Sequence, residues 1–277
     1  MTRHPLATVA IAIAIAIVVV ILVTAPMLFR HLTDSMLFYP SRGQWRTPEA
    51  LGLGYRELWL DAEGERLQTW WIAGDESGPV ILMFHGNAGT IADRLENVRL
   101  FVEHLGASVL QVEYPGYGDS SGRPSEASLY AAGEAGWKES RKLAAGRPLV
   151  VFGRSLGGAV AIDVAANQQV DALVAESTFT SLPDLAPATG LPLARHLVAY
   201  RFDSLDKIAQ IHAPVLLIHG DHDELVSYSM AGRLYKAATA AASRHLHTVR
   251  GGTHNDTWAI GGEDYWRAWS NLIAGLG

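Results

Sequence analysis

The chain has 277 residues, a formal net charge of −6, an apolar fraction of 49% and a charged fraction of 18%. That length and apolar content suit one large core rather than two, and the acidic balance with no basic block argues against a nucleic-acid partner. The absence of cysteine excludes disulfides, thiolate nucleophiles and cysteine-ligated metals together, and leaves the redox compartment open.

Leu6 to Ala25 carries no charge, and only Thr8 and Thr24 are polar. As a helix it would span about 30 Å, one hydrocarbon core. The apolar stretch of a cleavable signal is shorter, about 7–15 residues. Ala25 is also followed by Pro26, a poor context for cleavage. An uncleaved single-pass anchor over residues 1–30 is therefore expected ahead of a removed signal. A buried soluble helix is disfavoured, because nothing polar marks an outer face. Arg3 precedes the span and Arg30, Arg42 and Arg46 follow it, which leans towards a cytoplasmic main domain. Short anchors also insert the other way, so the side stays open. Phe29, Phe38, Tyr39 and Trp45 come next, suited to the headgroup level or to the edge of the domain.

Residues 31–277 read as one α/β domain. Tyr55–Asp61 and Leu67–Ala73 alternate apolar and polar residues around Ala62-Glu63-Gly64-Glu65, a hairpin. Val80–Phe84 is a short buried strand and Ile91–Leu105 an amphipathic helix. Ser108–Glu113 is a strand broken by Pro115-Gly116-Tyr117-Gly118. Ser125–Leu143 is helical, with Ser125 or Ser128 as its cap. A strand at 149–152 leads into a helix ending near Asn167, and Asp171–Glu176 is the next strand. Residues 178–213 form an irregular insert with Pro183, Pro187 and Pro192. Val215–His219 and His245–Val249 are strands, Tyr228–Ala241 and Tyr265–Leu276 helices. The alternation predicts a mostly parallel twisted sheet with helices on both faces, and ligands at the carboxyl ends of its strands.

Gly153-Arg154-Ser155-Leu156-Gly157 lies between the apolar run ending at Phe152 and the small-residue helix. A strand turning sharply into a helix strains its middle residue and brings backbones close, so only small side chains fit two places before and after the serine. Such a turn lifts the Ser155 hydroxyl clear of the sheet at a helix N-terminus. The plainer reading is a glycine turn that only packs helix on sheet. A nucleophilic serine needs a base, and the base a partner that fixes its tautomer. Elbows of this kind go with the chain order Ser, acid, His. Only His245, His247 and His254 follow both Ser155 and the acidic cluster at 221–224. His245 and His247 share one side of a strand and read as structural. His254, in the flexible loop Gly251 to Asn255, is the candidate base. Asp221 and Asp223 both qualify as the acid by spacing, and Asp221 equally suits bracing the turn after Gly220. A metal held by Asp221, His222 and Asp223 is disfavoured, since three adjacent residues seldom surround an ion. The loop His85-Gly86-Asn87-Ala88-Gly89 should supply the Asn87 amide to an oxyanion, beside the Leu156 amide. Gly86 is expected to let that loop bend and His85 to brace it. No lysine follows, as a phosphate-binding loop would need.

These segments resemble the α/β-hydrolase superfamily, and more narrowly its membrane-anchored Bem46-like group, related to the abhydrolase-domain 13 and 17 proteins and to S33-type serine aminopeptidase domains. The resemblance runs from about Leu37 to the C-terminus. It is carried by Phe84 to Gly89, Glu113 to Gly118 with Ser120 to Gly122, Phe152 to Gly158, Glu176 to Phe179, Leu217 to Val226, and Gly251 to His254. It implies an α/β-hydrolase fold with a short cap at 178–213 and assigns the acid to Asp223. The expected activity is hydrolysis of esters or thioesters through Ser155, His254 and Asp223, without cofactor or metal. The substrate would be a small or lipid-like acyl compound, since Leu182, Leu185, Leu191, Leu193, Leu197 and Val198 give the cap an apolar face. Sealing the lid to the core explains those residues equally well. An S33-type peptidase and a non-catalytic membrane-associated binding protein are the alternatives.

Overall fold

The computed structural model describes residues 13–18, 20, 22, 24, 33–185 and 199–276. It divides into two units, Met1–Phe38 and Tyr39–Gly277. In the first unit most of the expected anchor lies outside the described residues. Those described within it are helical, and Ile13, Ile15, Ile17, Val18, Val20 and Leu22 are exposed. Among the described residues no helix is long and apolar enough to cross a membrane.

The second unit is built on an eight-stranded sheet. Its strands are β2 (Tyr55–Ala62), β3 (Glu65–Ile72), β4 (Val80–Phe84), β6 (Ser108–Val112), β7 (Leu149–Arg154), β8 (Ala172–Glu176), β9 (Val215–Gly220) and β10 (Arg244–Val249). The order is β10-β9-β8-β7-β4-β6-β3-β2. Pairing is antiparallel for β2 with β3 and β3 with β6, and parallel elsewhere. Two short strands, β1 (Tyr39–Pro40) and β5 (Ala88–Gly89), pair with each other apart from it. The helices are α1 (Leu95–Leu105), α2 (Glu126–Ala144), α3 (Leu156–Asn167), the single turn α4 (Leu182–Leu185), α5 (Ser204–Ile208), α6 (Tyr228–Ala237) and α7 (Thr257–Ala274).

β4, β7, β8 and β9 are apolar up to their carboxyl ends because both faces are covered. Ile81 and Met83 of β4 and Val150 and Phe152 of β7 join Phe101 of α1 and Trp269 of α7 in one core cluster. Leu82 and Phe84 point the opposite way, against the glycines of α2, where a Cβ on Gly136 would meet Leu82 and one on Gly133 would meet Val164 of α3. The two-residue alternation of the strands thus decides which helix each side chain meets. After β4 the chain adds β6 on one side and β7 on the other. Such a reversal opens a crevice outside the carboxyl ends of the strands, where ligands bind.

The hairpin turn falls at Glu63 and Gly64, both with positive φ (53° and 87°), the twist a two-residue hairpin needs. Three helices depart from expectation. α1 begins at Leu95 instead of Ile91, because Ile91–Arg94 forms a separate 3-10 turn capped by Thr90. α6 stops at Ala237 instead of Ala241, because Ala242 donates to His212 O and turns the chain into β10. α7 begins at Thr257, well before Tyr265. Gly262 absorbs a kink at φ 49° and the helix resumes. In the 178–213 insert, residues 186–198 lie outside the described residues, with Pro187, Leu191, Pro192, Leu193, Leu197 and Val198. Leu182 is buried.

Candidate active site

Ser155 joins β7 to α3 with φ 54° and ψ −119°, a conformation that costs an L-residue on the order of 1–3 kcal/mol. The surroundings hold it there. Its amide donates to Glu176 O at 2.9 Å, and its carbonyl accepts from Thr178 Oγ1 at 2.8 Å and from the Gly158 amide at 2.9 Å. A Cβ on Gly153 would land on the Gly157 backbone, and one on Gly157 would land on the backbone of Phe84 and His85. Both glycines are therefore steric requirements of the turn. Gly157→Ala is expected to lower stability by about 2 kcal/mol, or roughly 4–8 °C in Tm. Gly232→Ala, where a Cβ meets open space, should leave Tm unchanged or higher in the same melting experiment.

The loops after β9 and β10 bring Asp223 and His254 together. His254 Nδ1 donates to Asp223 Oδ2 at 2.8 Å, with side-chain exposures of 7% and 0%. Asp223 Oδ1 accepts from the amides of Leu225 (2.9 Å) and Val226 (2.8 Å). His219 Nε2 lies 3.2 Å from Asp223 Oδ2 and 2.9 Å from Val226 O, so a second buried imidazole also faces the carboxylate. Burial by itself would raise the Asp223 pKa. Hydrogen bonds from His219, His254 and the Val226 amide outweigh it and hold the carboxyl well below its ordinary range. A proton on Nδ1 leaves the His254 Nε2 lone pair available as an acceptor.

The two aspartates that spacing left open take different places. Asp221 is exposed and accepts from the Gly251 amide at 2.6 Å, bracing one loop on the other. Asp223 meets the imidazole. His222 is exposed, and only its backbone joins the two loops, donating to Gly252 O at 3.0 Å. His245 and His247 lie with ring centroids 6.5 Å apart on β10, at the sheet edge. Burial, then the neighbouring His245, lowers the His247 pKa.

The loop after β4 lies against the nucleophile turn. A Cβ on Gly86 would stand 3.7 Å from Ser155 Cβ. That is ordinary contact at a residue without positive φ, so glycine here is not demanded by the bend; it keeps side-chain bulk away from the serine. His85 Nε2 lies 2.8 Å from Glu113 Oε1, both buried, and Tyr114 Oη donates to His85 O at 2.8 Å. Asn87 O accepts from Tyr117 Oη at 2.7 Å and from the Tyr39 amide at 3.0 Å. Asn87 therefore sits in a braced loop beside Ser155. Leu156 heads α3, where first-turn amides lack intrahelical partners.

Sequence reading did not single out His219, Arg154 or Glu176. His219 carried a signal, a histidine at a strand's carboxyl end just before the acid loop. Arg154 fills a position that the glycine-serine-glycine spacing leaves unspecified, and Glu176 entered only within a motif. Arg154 Nη2 donates to His254 O at 2.7 Å, which joins the elbow to the imidazole loop. A cleft of about 440 Å³ lined by Tyr130, Glu134 and Asp163 on α2 and α3 contains none of these groups.

No protein-family model matches the chain. The alpha/beta hydrolase domain-containing protein WAV2 of Arabidopsis thaliana is 37% identical over 243 residues, covering 80% of this chain and 79% of WAV2. Protein bem46 of Schizosaccharomyces pombe is 31% identical over 273 residues, covering 91% of this chain and 89% of bem46. Among solved structures, an esterase of Pyrococcus furiosus superposes with a TM-score of 0.74 at 21% identity, covering 87% of this chain and 99% of the esterase. That last likeness concerns the fold.

Proposed function

The chain belongs to the family of alpha/beta hydrolase domain-containing proteins, and on that premise we propose that it is a serine hydrolase acting on esters or thioesters of apolar acyl groups. The observation that carries the reading is the buried Asp223–His254 pair, tied through Arg154 to the strained Ser155 turn. His254 Nε2 takes the Ser155 Oγ proton as Oγ attacks the acyl carbonyl. The amides of Leu156 and Asn87 receive the oxyanion, and Asp223 stabilises the imidazolium. The imidazolium returns its proton to the leaving alcohol or thiol, and an acyl-enzyme remains. Water, deprotonated by the same nitrogen, then releases the acid and frees Ser155.

The apolar acyl reading is supported by two exposed apolar side chains in the segments that carry the acid and follow the base. Leu225, two residues past Asp223, and Ile260, in the first turns of α7 after His254, are each 54% exposed. Full burial of such a side chain is worth about 1.5–3 kcal/mol. The test is a panel of p-nitrophenyl esters from acetate to palmitate, one acyl thioester and one aminoacyl p-nitroanilide. Turnover is expected to rise with chain length to a medium-chain optimum, at least about tenfold above the anilide. A preference for the anilide would install the peptidase reading, and turnover of none would leave a non-catalytic binding protein.

The apolar segment Leu6–Ala25 is proposed to anchor the protein in a bilayer. The support is the length of the run and the exposure of its described helical side chains, which water solvates poorly. The full chain is expected to stay with membranes through alkaline carbonate extraction. Val18→Arg, at a cost of about 2.5–3.5 kcal/mol near a bilayer centre, should shift part of it to the soluble fraction. Complete release of the unmodified chain would refute the anchor.

A further inference from the structure

The candidate base sits in a glycine-bearing loop that hydrogen bonds brace at Gly251, Gly252 and Thr253, and whose His254 carbonyl is held from the elbow. Gly251 has φ 72° and Gly252 follows it, and paired glycines leave the backbone many alternatives. His254 is nonetheless buried against Asp223.

We propose that Arg154 is the positioning residue that keeps His254 at the nucleophile, with Glu176 locking the guanidinium in place. This rests on the acyl-transfer reading above. Arg154 immediately precedes Ser155, and its Nη2 donates to the backbone oxygen of His254 itself at 2.7 Å. Its Nε lies 3.5 Å from Glu176 Oε1, with side-chain exposures of 11% and 1%. Among the described residues Arg154 Nε has no hydrogen-bond partner, so the Glu176 charge and the His254 carbonyl are what hold this nearly buried cation. Glu176 is in turn immobilised. Thr257 Oγ1 donates to its Oε1 at 2.5 Å and Tyr265 Oη to its Oε2 at 2.7 Å. Its backbone oxygen accepts from the Ser155 amide at 2.9 Å.

One residue thus joins three segments: the elbow through its carbonyl, α7 through its carboxylate, and the imidazole loop through Arg154. The planar guanidinium suits this, since one face of its fork reaches the carboxylate and another the carbonyl, which a lysine ammonium on a flexible stem does less rigidly. A misplacement of about 1 Å between nucleophile and base is enough to cost on the order of 100-fold in rate. The tether therefore acts on rate through geometry, without touching substrate.

The test uses the full chain in detergent. Arg154→Met alone leaves a buried carboxylate unpaired and is a folding risk. The second variant is Arg154→Met/Glu176→Gln, which removes both charges while the glutamine oxygen still accepts from one of the Thr257 and Tyr265 hydroxyls and its NH₂ group donates to the other. In the double variant, phosphonylation of Ser155 by a fluorophosphonate and kcat are expected to fall together by about 10- to 100-fold, with KM within about twofold. Amide exchange over residues 251–257 should accelerate, and the low-field proton resonance of the His254–Asp223 bond should broaden. Arg154→Lys should recover part of the rate. A folded double variant with wild-type rates, exchange and resonance overturns the proposal, as does a loss of Tm with kcat unchanged. If the wild type is never phosphonylated, the acyl-transfer reading falls, and exchange over 251–257 still decides: faster in the variant, the tether stands; unchanged, it is refuted.

Discussion

Ser155→Ala is expected to abolish fluorophosphonate labelling and to lower ester turnover by about 10⁴-fold or more, the loss that follows removal of a serine nucleophile. The fold should survive, because the side-chain hydroxyl is not what holds the turn. The restraints on Ser155 are backbone bonds to Glu176, Thr178 and Gly158, all available to alanine. Alanine also carries the same Cβ into the same positive φ. Ser155→Gly separates the two roles. It should be equally inactive yet more stable, by about 1 kcal/mol, since glycine adopts φ 54° without strain. Labelling and thermal melting of the three proteins decide the matter. Labelling retained in Ser155→Ala would refute the nucleophile, and no gain of stability in Ser155→Gly would refute the strain.

Asp223→Asn is expected to cost about 10⁴-fold in kcat, second only to loss of the nucleophile. Asparagine has the shape of aspartate, and its carbonyl oxygen can still accept from the Leu225 and Val226 amides. Its NH₂ group, however, would then face His254 and His219. A donor opposite His254 Nδ1 favours the tautomer with the proton on Nε2, the nitrogen that must accept from Ser155. The pH dependence of stability carries an independent sign. Asp223 is depressed in the folded protein, so its ionisation contributes in full above the unfolded value of about 3.9 and is lost as pH falls towards the lower folded value. The stability gap between wild type and Asp223→Asn should therefore be complete at neutral pH and close progressively below about pH 4. A gap that stayed constant into acid would show that the carboxylate is not stabilised in the folded state.

Much of the site was readable because its parts are local. The requirement for glycine at 153 and 157 follows from a strand turning into a helix within a few residues, and a Cβ at either position would meet backbone. The chain order of serine, acid and histidine left His254 by exclusion. The hairpin turn at Glu63-Gly64 and the Ser125 cap, whose hydroxyl accepts from the Ser128 amide at 3.1 Å, were likewise set by neighbours in sequence. Gly86 was read as a bend and proved instead to be a matter of room beside Ser155. The last helix was read from Tyr265, and α7 begins at Thr257 with a kink at Gly262.

What the sequence by itself determined is the strand–helix alternation, the elbow at Ser155 and the three segments that meet there. Hydrophobic period, turn chemistry and chain order are properties of residues close together in the chain. Spacing left Asp221 and Asp223 open and the resemblance chose Asp223; tertiary structure brought Asp223 to His254, added His219 to the same carboxylate, and tied the elbow to the imidazole loop through Arg154 and Glu176. Asp221 and Asp223 differ in nothing that local preference can weigh. Their fates diverge only when β9 and β10 lie side by side and their loops are pressed together, so that one carboxylate finds a backbone amide in solvent and the other a buried imidazole.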